Sequence, residues 1–373
     1  MMVSGVAVHG STRGGGLIAV GVHSSAGGTL SVDATDSPRE DQDRAWEVLF
    51  DAARYADGAG DDERAERRYQ DALAAAKHAG AGEDAIAEIL GGLFELRRGD
   101  DPAGALAVGE QRLALLEGLH GSEHEEVGAL LTALGCVLTS QGETKRGREL
   151  FRRGRRILEK ELGPRHPEVG RVLLDMALVL RDAGREEDAE PFFRRALDVL
   201  ETTFGPDHLE VAEALEGLAL CCDALGESDR AERFYRRALS AYEHTLGNNS
   251  PPAAEVAQYL AELFMDDAEF ELAAPLLRRA FATLEEIGGP NSLAVAVCLE
   301  RLADLYRGLQ QPVLAVFQLR RALAIYEDDE AGASALGPLY ERLAVLLEEA
   351  GQPEEARVAR ARAARPDDPE SKA

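Results

Sequence analysis

The sequence predicts an all-α chain, an α-solenoid of about eight helix-turn-helix repeats behind a glycine-rich N-terminal segment. Three observations carry that prediction. Gly121, Gly163, Gly205, Gly247 and Gly289 are spaced by 42 residues each time, and His124, His166 and His208 share the period, as do Val127, Val169 and Val211. A second series, Gly142, Gly184 and Gly226, runs at the same interval half a period out of phase, so each unit holds two elements. Composition agrees: of 373 residues 45% are hydrophobic but only 5% aromatic, and Trp46 is the single tryptophan, so the interior must be built from alanine and leucine. A stack of that kind never grows one large core.

Residues 1–41 differ in kind from the rest: they are rich in glycine, poor in charge, and carry short apolar runs such as Leu17-Ile18-Ala19-Val20. A disordered tail is expected there, with a small β-hairpin or a self-assembly segment as the alternatives that Val6, Val8, Leu30 and Val32 leave open. The solenoid is expected over 42–365. In its first unit, 42–82, Ala65, Tyr69, Ala72 and Leu73 mark a second helix; in 83–124 Ala105, Leu106, Leu113 and Leu116 do so. The units 125–166, 167–208, 209–250, 251–292 and 293–332 are clearer. In 209–250 the apolar positions Val211, Ala214, Leu215, Leu218, Ala219 and Cys222 follow the i, i+3, i+4, i+7 rule of an amphipathic helix, and Ala231, Phe234, Tyr235, Ala238, Leu239 and Tyr242 repeat it. Gly226 suits the left-handed position after a helix and Ser228 an N-cap. Ala219 and Ala238 are small enough for a close helix crossing. The last unit, 333–365, puts Arg360 where a large apolar residue would stand, as a capping helix requires. Residues 366–373 form a polar tail.

Leu215, Leu218, Ala219, Gly226, Ala231, Tyr235 and Ala238 resemble the signature of tetratricopeptide repeats. The 42-residue period, with Ala189-Glu190-Pro191-Phe192-Phe193-Arg194-Arg195-Ala196-Leu197 followed by Phe204-Gly205-Pro206-Asp207-His208, is similar to the repeat of kinesin light chains and their bacterial relatives. The resemblance implies a right-handed solenoid, non-catalytic and protein-binding, whose first helices line a concave groove. It also implies asparagines on those helices; Asp175, Gly217, Tyr259 and Arg301 stand there instead.

Several functions are excluded. A net charge of −27, from 68 acidic and 41 basic residues, repels phosphate backbones and anionic lipid at long range, so neither nucleic acid nor membrane is an expected partner. Only Lys77, Lys145, Lys160 and Lys372 are lysines, a bias associated with GC-rich bacterial genomes; with no apolar run of membrane-spanning length and no secretory pattern, a cytoplasmic location is expected. Cys136, Cys221, Cys222 and Cys298 form no C-x-x-C pair, and Cys222 takes the stripe position of Leu138, Leu180, Phe264 and Tyr306, so buried filler is the reading. His120-Gly121-Ser122-Glu123-His124 satisfies H-x-x-E-H, yet Gly121 breaks the helix that such a zinc site needs, and a metal-dependent hydrolase is disfavoured. No phosphate-binding glycine loop is present. Neither enzyme activity nor a cofactor is expected.

What remains is binding. The paired arginines 152/153, 194/195, 236/237, 278/279 and 320/321 form a ladder on the second helices that Glu190, Glu232 and their neighbours can neutralise. On the first helices, the flank beside the buried stripe carries Glu213, Glu216 and Asp223, then Glu255, Gln258, Glu262 and Asp266, then Glu300, Asp304 and Arg307. That flank is predicted to be the binding groove, acidic towards its C-terminal half. The predicted function is a scaffold or adaptor that takes a basic peptide, loop or helix of another protein. A regulatory sensor subunit that controls a separate effector is the alternative, and homo-oligomerisation stays open.

Overall fold

The structure is a computed structural model and describes residues 45–328 and 334–364. The segments 1–41 and 366–373, expected to be tails, lie outside the described residues. Among the described residues sixteen helices follow one another as eight hairpins. They are α1 (Ala45–Gly58) with α2 (Asp62–Ala79), α3 (Glu83–Asp100) with α4 (Pro102–His120), and α5 (Glu125–Ser140) with α6 (Thr144–Glu161). Next come α7 (Pro167–Asp182) with α8 (Glu186–Phe204), and α9 (Leu209–Ala224) with α10 (Ser228–Leu246). The last three hairpins are α11 (Pro251–Asp266) with α12 (Phe270–Gly288), α13 (Leu293–Gly308) with α14 (Pro312–Asp328), and α15 (Leu336–Glu349) with α16 (Pro353–Ala363).

The two glycine series do different work. Between hairpins Gly121, Gly205, Gly247 and Gly289 pair φ of 79 to 89° with ψ of 160 to 172°, a region open almost solely to glycine. Within hairpins Gly142, Gly184 and Gly226 take positive φ, and the same position is then filled by Ala268 (φ 59°) and Gln310 (φ 58°), which a left-handed residue can be at moderate cost. That is why the second series fades along the sequence. The histidines open the first helices: His124, His166 and His208 are N-caps whose Nδ1 accepts the backbone N–H of Glu126, Glu168 and Glu210 at 3.3, 3.3 and 3.4 Å. Ser228, expected as an N-cap, is instead the first helical residue, after Glu227.

Consecutive hairpins bury the stripes against one another. Ala219 and Ala238 are fully buried, as the close crossing of α9 and α10 demands. The crossing of α5 and α6 is closer still. A Cβ on Gly154 would lie 2.4 Å from the Gly128 carbonyl oxygen, and one on Gly147 2.6 Å from that of Gly135. Two apolar clusters meet at this hairpin, one running from Phe50 to Ile157 and the other from Cys136 to Ala359. First helices of adjacent hairpins touch one another, α1 on α3, α5 on α7, α7 on α9 and α11 on α13, whereas adjacent second helices do not reach the same proximity. In a curved stack the elements that crowd lie on the inside, so the first helices form the inner surface.

Candidate interaction surfaces

The inner surface between α7 and α15 carries the predicted flank, and its carboxylates divide by partner. Towards the C-terminal end they are already bridged. Arg301 bonds Glu262 and reaches the Gln258 Oε1 at 3.2 Å, and Arg342 donates to Glu300 at 2.6 Å and to both oxygens of Asp304 at 2.9 Å. Arg307 is held by Glu349 at 2.6 Å. Gln258 is not a lining residue: it is buried beneath Arg301 and donates back to the Ala254 carbonyl. The acidity expected to grow towards the C-terminal half is therefore compensated there by arginines of the following hairpin.

The uncompensated acid lies on α7, α9 and α11. Glu213 has no hydrogen bond or ion pair among the described residues. Burial, with Glu210 and Asp175 adding their charge, pushes its carboxyl up to about 7. Glu216 is raised to about 7 as well, first by burial, against the opposing effect of the Tyr242 hydroxyl, which donates to its Oε2 at 2.7 Å. The Tyr259 hydroxyl donates to exposed Glu255 at 2.9 Å and that of Tyr235 to Asp223 at 3.4 Å. Asp266 is exposed without a hydrogen bond or ion pair among the described residues. Asp175, where the family resemblance implies asparagine, faces this group without a hydrogen bond or ion pair among the described residues, with Arg98 the positive charge that acts on it. The sequence points to these carboxylates apart from Asp175, and not to the tyrosines and arginines that grip them.

On the outer surface the second arginine of each pair reaches back 36 residues to a glutamate on the preceding second helix. Arg153–Glu117, Arg195–Glu159, Arg237–Glu201, Arg279–Glu243 and Arg321–Glu285 close at 2.6 to 2.7 Å. Of the first arginines, Arg194 and Arg236 bond Glu190 and Glu232 one turn back at 2.7 Å, and Arg320 bonds Glu355. The ladder is thus largely self-neutralised.

Potential metal ligands do not gain from the fold. His124 is spent on its cap and stacks on His120 with ring centroids 4.6 Å apart. Ligand atoms of Glu190, Cys222 and Glu227 lie within 4.8 Å of one another, but Arg230 bonds both glutamates and supplies the positive charge. All four cysteines are buried free thiols. No helix among the described residues is long and apolar enough to cross a membrane.

A tetratricopeptide-repeat family model matches residues 137–202, 168–244 and 253–328, the stretches in which both glycine series and both stripes are most regular. Over those stretches the chain is built of tetratricopeptide repeats. Among solved structures, BtubC (BKLC) from P. vanneervenii superposes with a TM-score of 0.50 at 24% identity, over 57% of this chain and 84% of its own. The apo form of RapI gives 0.54 at 13% identity, over 77% and 97%. A Podosopora anserina protein of kinesin light chain type with nearly identical TPR-like repeats gives 0.48 at 18%, over 54% and 96%. The first two likenesses are of fold. A comparison with curated proteins found no match. Tetratricopeptide repeats are a protein-interaction scaffold and generally non-catalytic.

Proposed function

We propose that this repeat protein is an adaptor whose inner surface, between α7 and α11, binds a basic peptide, loop or helix of a partner protein. The observation that carries the reading is Glu213, a half-buried carboxyl on the inner surface without an internal partner, flanked by Asp175, Glu216 and Glu255. An approaching arginine or lysine meets several carboxylates at once, and each gains more than it would in open water because the groove walls exclude part of the solvent. The compensated acids Glu262, Glu300 and Asp304 extend the same wall, with Asp223 and Asp266 at its outer edge, but a ligand there must first displace Arg301 or Arg342.

The reading is tested by fluorescence anisotropy with a labelled peptide alternating arginine and alanine. Binding to the wild-type chain should weaken as salt rises and the Debye length shortens from about 10 Å at 0.1 M to about 3 Å at 1 M. Glu213→Lys with Glu255→Lys should abolish it with helicity retained. Affinity untouched by that double reversal rejects the groove.

A further inference from the structure

Helix α6 is out of keeping with the chain it belongs to. In a protein of net charge −27 its 18 residues hold eight basic and three acidic side chains. Arg148, Arg152 and Arg155 fall at i, i+4 and i+7 on one face, where like charges repel and weaken an isolated helix. The local cause is a single exchange. One turn before Arg194 and Arg236 stand the glutamates that neutralise them; one turn before Arg152 stands Arg148. Arg152 is exposed and has no hydrogen bond or ion pair among the described residues. Arg278 also lacks one, but its neighbour one turn back is Ala274, so no second charge gathers there.

These arginines rim a cavity of about 200 Å³ between α6, α7 and α8 whose floor is Phe151, Met176 and Phe192, with the two phenylalanine rings edge to face at 5.6 Å. That is below the roughly 300–1,000 Å³ of a small-molecule site and suits one side chain. Asp188 and Glu159 each lie 3.3 Å from a rim guanidinium, Arg148 and Arg155; the Arg148–Asp188 pair is exposed and costs little to exchange for another carboxylate, and half-buried Glu159 keeps Arg195 as a partner when Arg155 turns to a ligand. We infer that the outer face at α6 and α8 is a second recognition site, for an acidic segment of a partner protein, held by Arg148, Arg152 and Arg155 with one apolar side chain of that segment seated in the cavity. The chain's overall negative field does not forbid this. Charges more than about 8–10 Å away are largely screened at physiological salt, and within that distance α6 decides the sign. A short acidic segment is also favoured over nucleic acid, because the cavity rewards an apolar side chain that a phosphate backbone lacks.

The test uses the full chain and a fluorescein-labelled peptide alternating glutamate with leucine. The peptide should bind, and Arg152→Ala should cut its affinity about tenfold, the equivalent of about 1.4 kcal/mol. Arg194→Ala, the same ladder position one repeat on, should change it less than about twofold. A peptide alternating glutamate with serine should bind more weakly than the leucine form. Glu213→Lys should leave acidic-peptide binding unaltered, which separates this site from the inner groove. No detectable binding, an equal loss on Arg194→Ala, or equal affinity for the serine peptide or for oligouridylate would overturn the inference. Circular dichroism of each variant checks that the helices persist.

Discussion

The third hairpin, α5 with α6, and the fifth, α9 with α10, are built on one repeat and use it in opposite ways. In the fifth the helices meet through Ala219 and Ala238, the inner face offers Glu213 and Glu216, and Arg236 and Arg237 on the outer face are both ion-paired. In the third they meet through Gly128, Gly135, Gly147 and Gly154, and Thr132 and Thr139 on the inner flank are buried in the crossing. Its ionic character has moved to the outer face, where Arg152 stands unpaired. Stacking fixes only the stripes and the turns; every position outside them is free to set charge, and the two hairpins have set it on opposite surfaces.

The largest effect should come from the shared stripe. Leu218 is fully buried in the fifth hairpin, so Leu218→Ala should cost about 2–5 kcal/mol through lost burial and an unfilled cavity. Because each hairpin contacts only its neighbours, hydrogen exchange should accelerate in 209–250 and the adjoining units while 45–120 keeps its protection. Uniform acceleration along the chain would show that the two apolar clusters act as one.

The glycine crossing should respond to the opposite change. Gly154→Ala drives a methyl group against the Gly128 carbonyl and Thr132, so it should lose about 1–3 kcal/mol despite alanine's better helix propensity. Ala238→Gly, the mirror change at the matching crossing, should cost about 1 kcal/mol from propensity alone. Denaturant titration followed by local hydrogen exchange would rank them, and the reverse order would mean that α5 and α6 can separate freely.

Much of this was legible in the residues because the physics behind it is local. A glycine that must adopt positive φ and a stripe at helical spacing each announce themselves within one unit, which is how eight hairpins follow from one chain. Glu213 and Glu216 were legible for the same reason. Their partners were not, since Tyr242 lies 26 residues beyond Glu216, and Arg342 42 residues beyond Glu300. The recurring offsets were a usable signal: Tyr326 bonds Glu300 at the same separation of 26, and the second arginine of every pair in the ladder reaches back 36 residues. The exception at Arg148 shows only when the repeats are compared position by position.

The inner face of the fifth hairpin should also make stability depend on pH. Glu213 and Glu216 sit at about 7 in the folded chain against an ordinary glutamate value of 4.5. The folded state therefore holds more protons than the unfolded state between those values, and stability must fall as pH rises from about 5 to about 7. Glu213→Gln with Glu216→Gln should flatten that fall in a series of denaturant titrations. The third hairpin, with threonine, alanine and cysteine at the matching positions, should show no such slope by hydrogen exchange. By the same titration, binding of the arginine–alanine peptide should strengthen across the interval, as the carboxylates ionise.

The smallest effect separates the two kinds of turn. Ala268 holds φ 59° at the position that Gly226 fills one repeat earlier. A left-handed alanine carries about 1–2 kcal/mol of steric cost, and glycine gives part of that back through the freedom it adds to the unfolded chain. Ala268→Gly should accordingly stabilise the sixth hairpin by about 1 kcal/mol or less. Gly226→Ala should lose a similar amount, because φ 75° is the same strained region. Gly205→Ala should lose more, at about 1–3 kcal/mol, since φ 86° with ψ 172° is a conformation alanine scarcely adopts. Hydrogen exchange at the flanking helix ends reads all three. If Gly205→Ala proved no worse than Gly226→Ala, the joint between hairpins would have relaxed, and the difference between the two glycine series would not arise from backbone conformation.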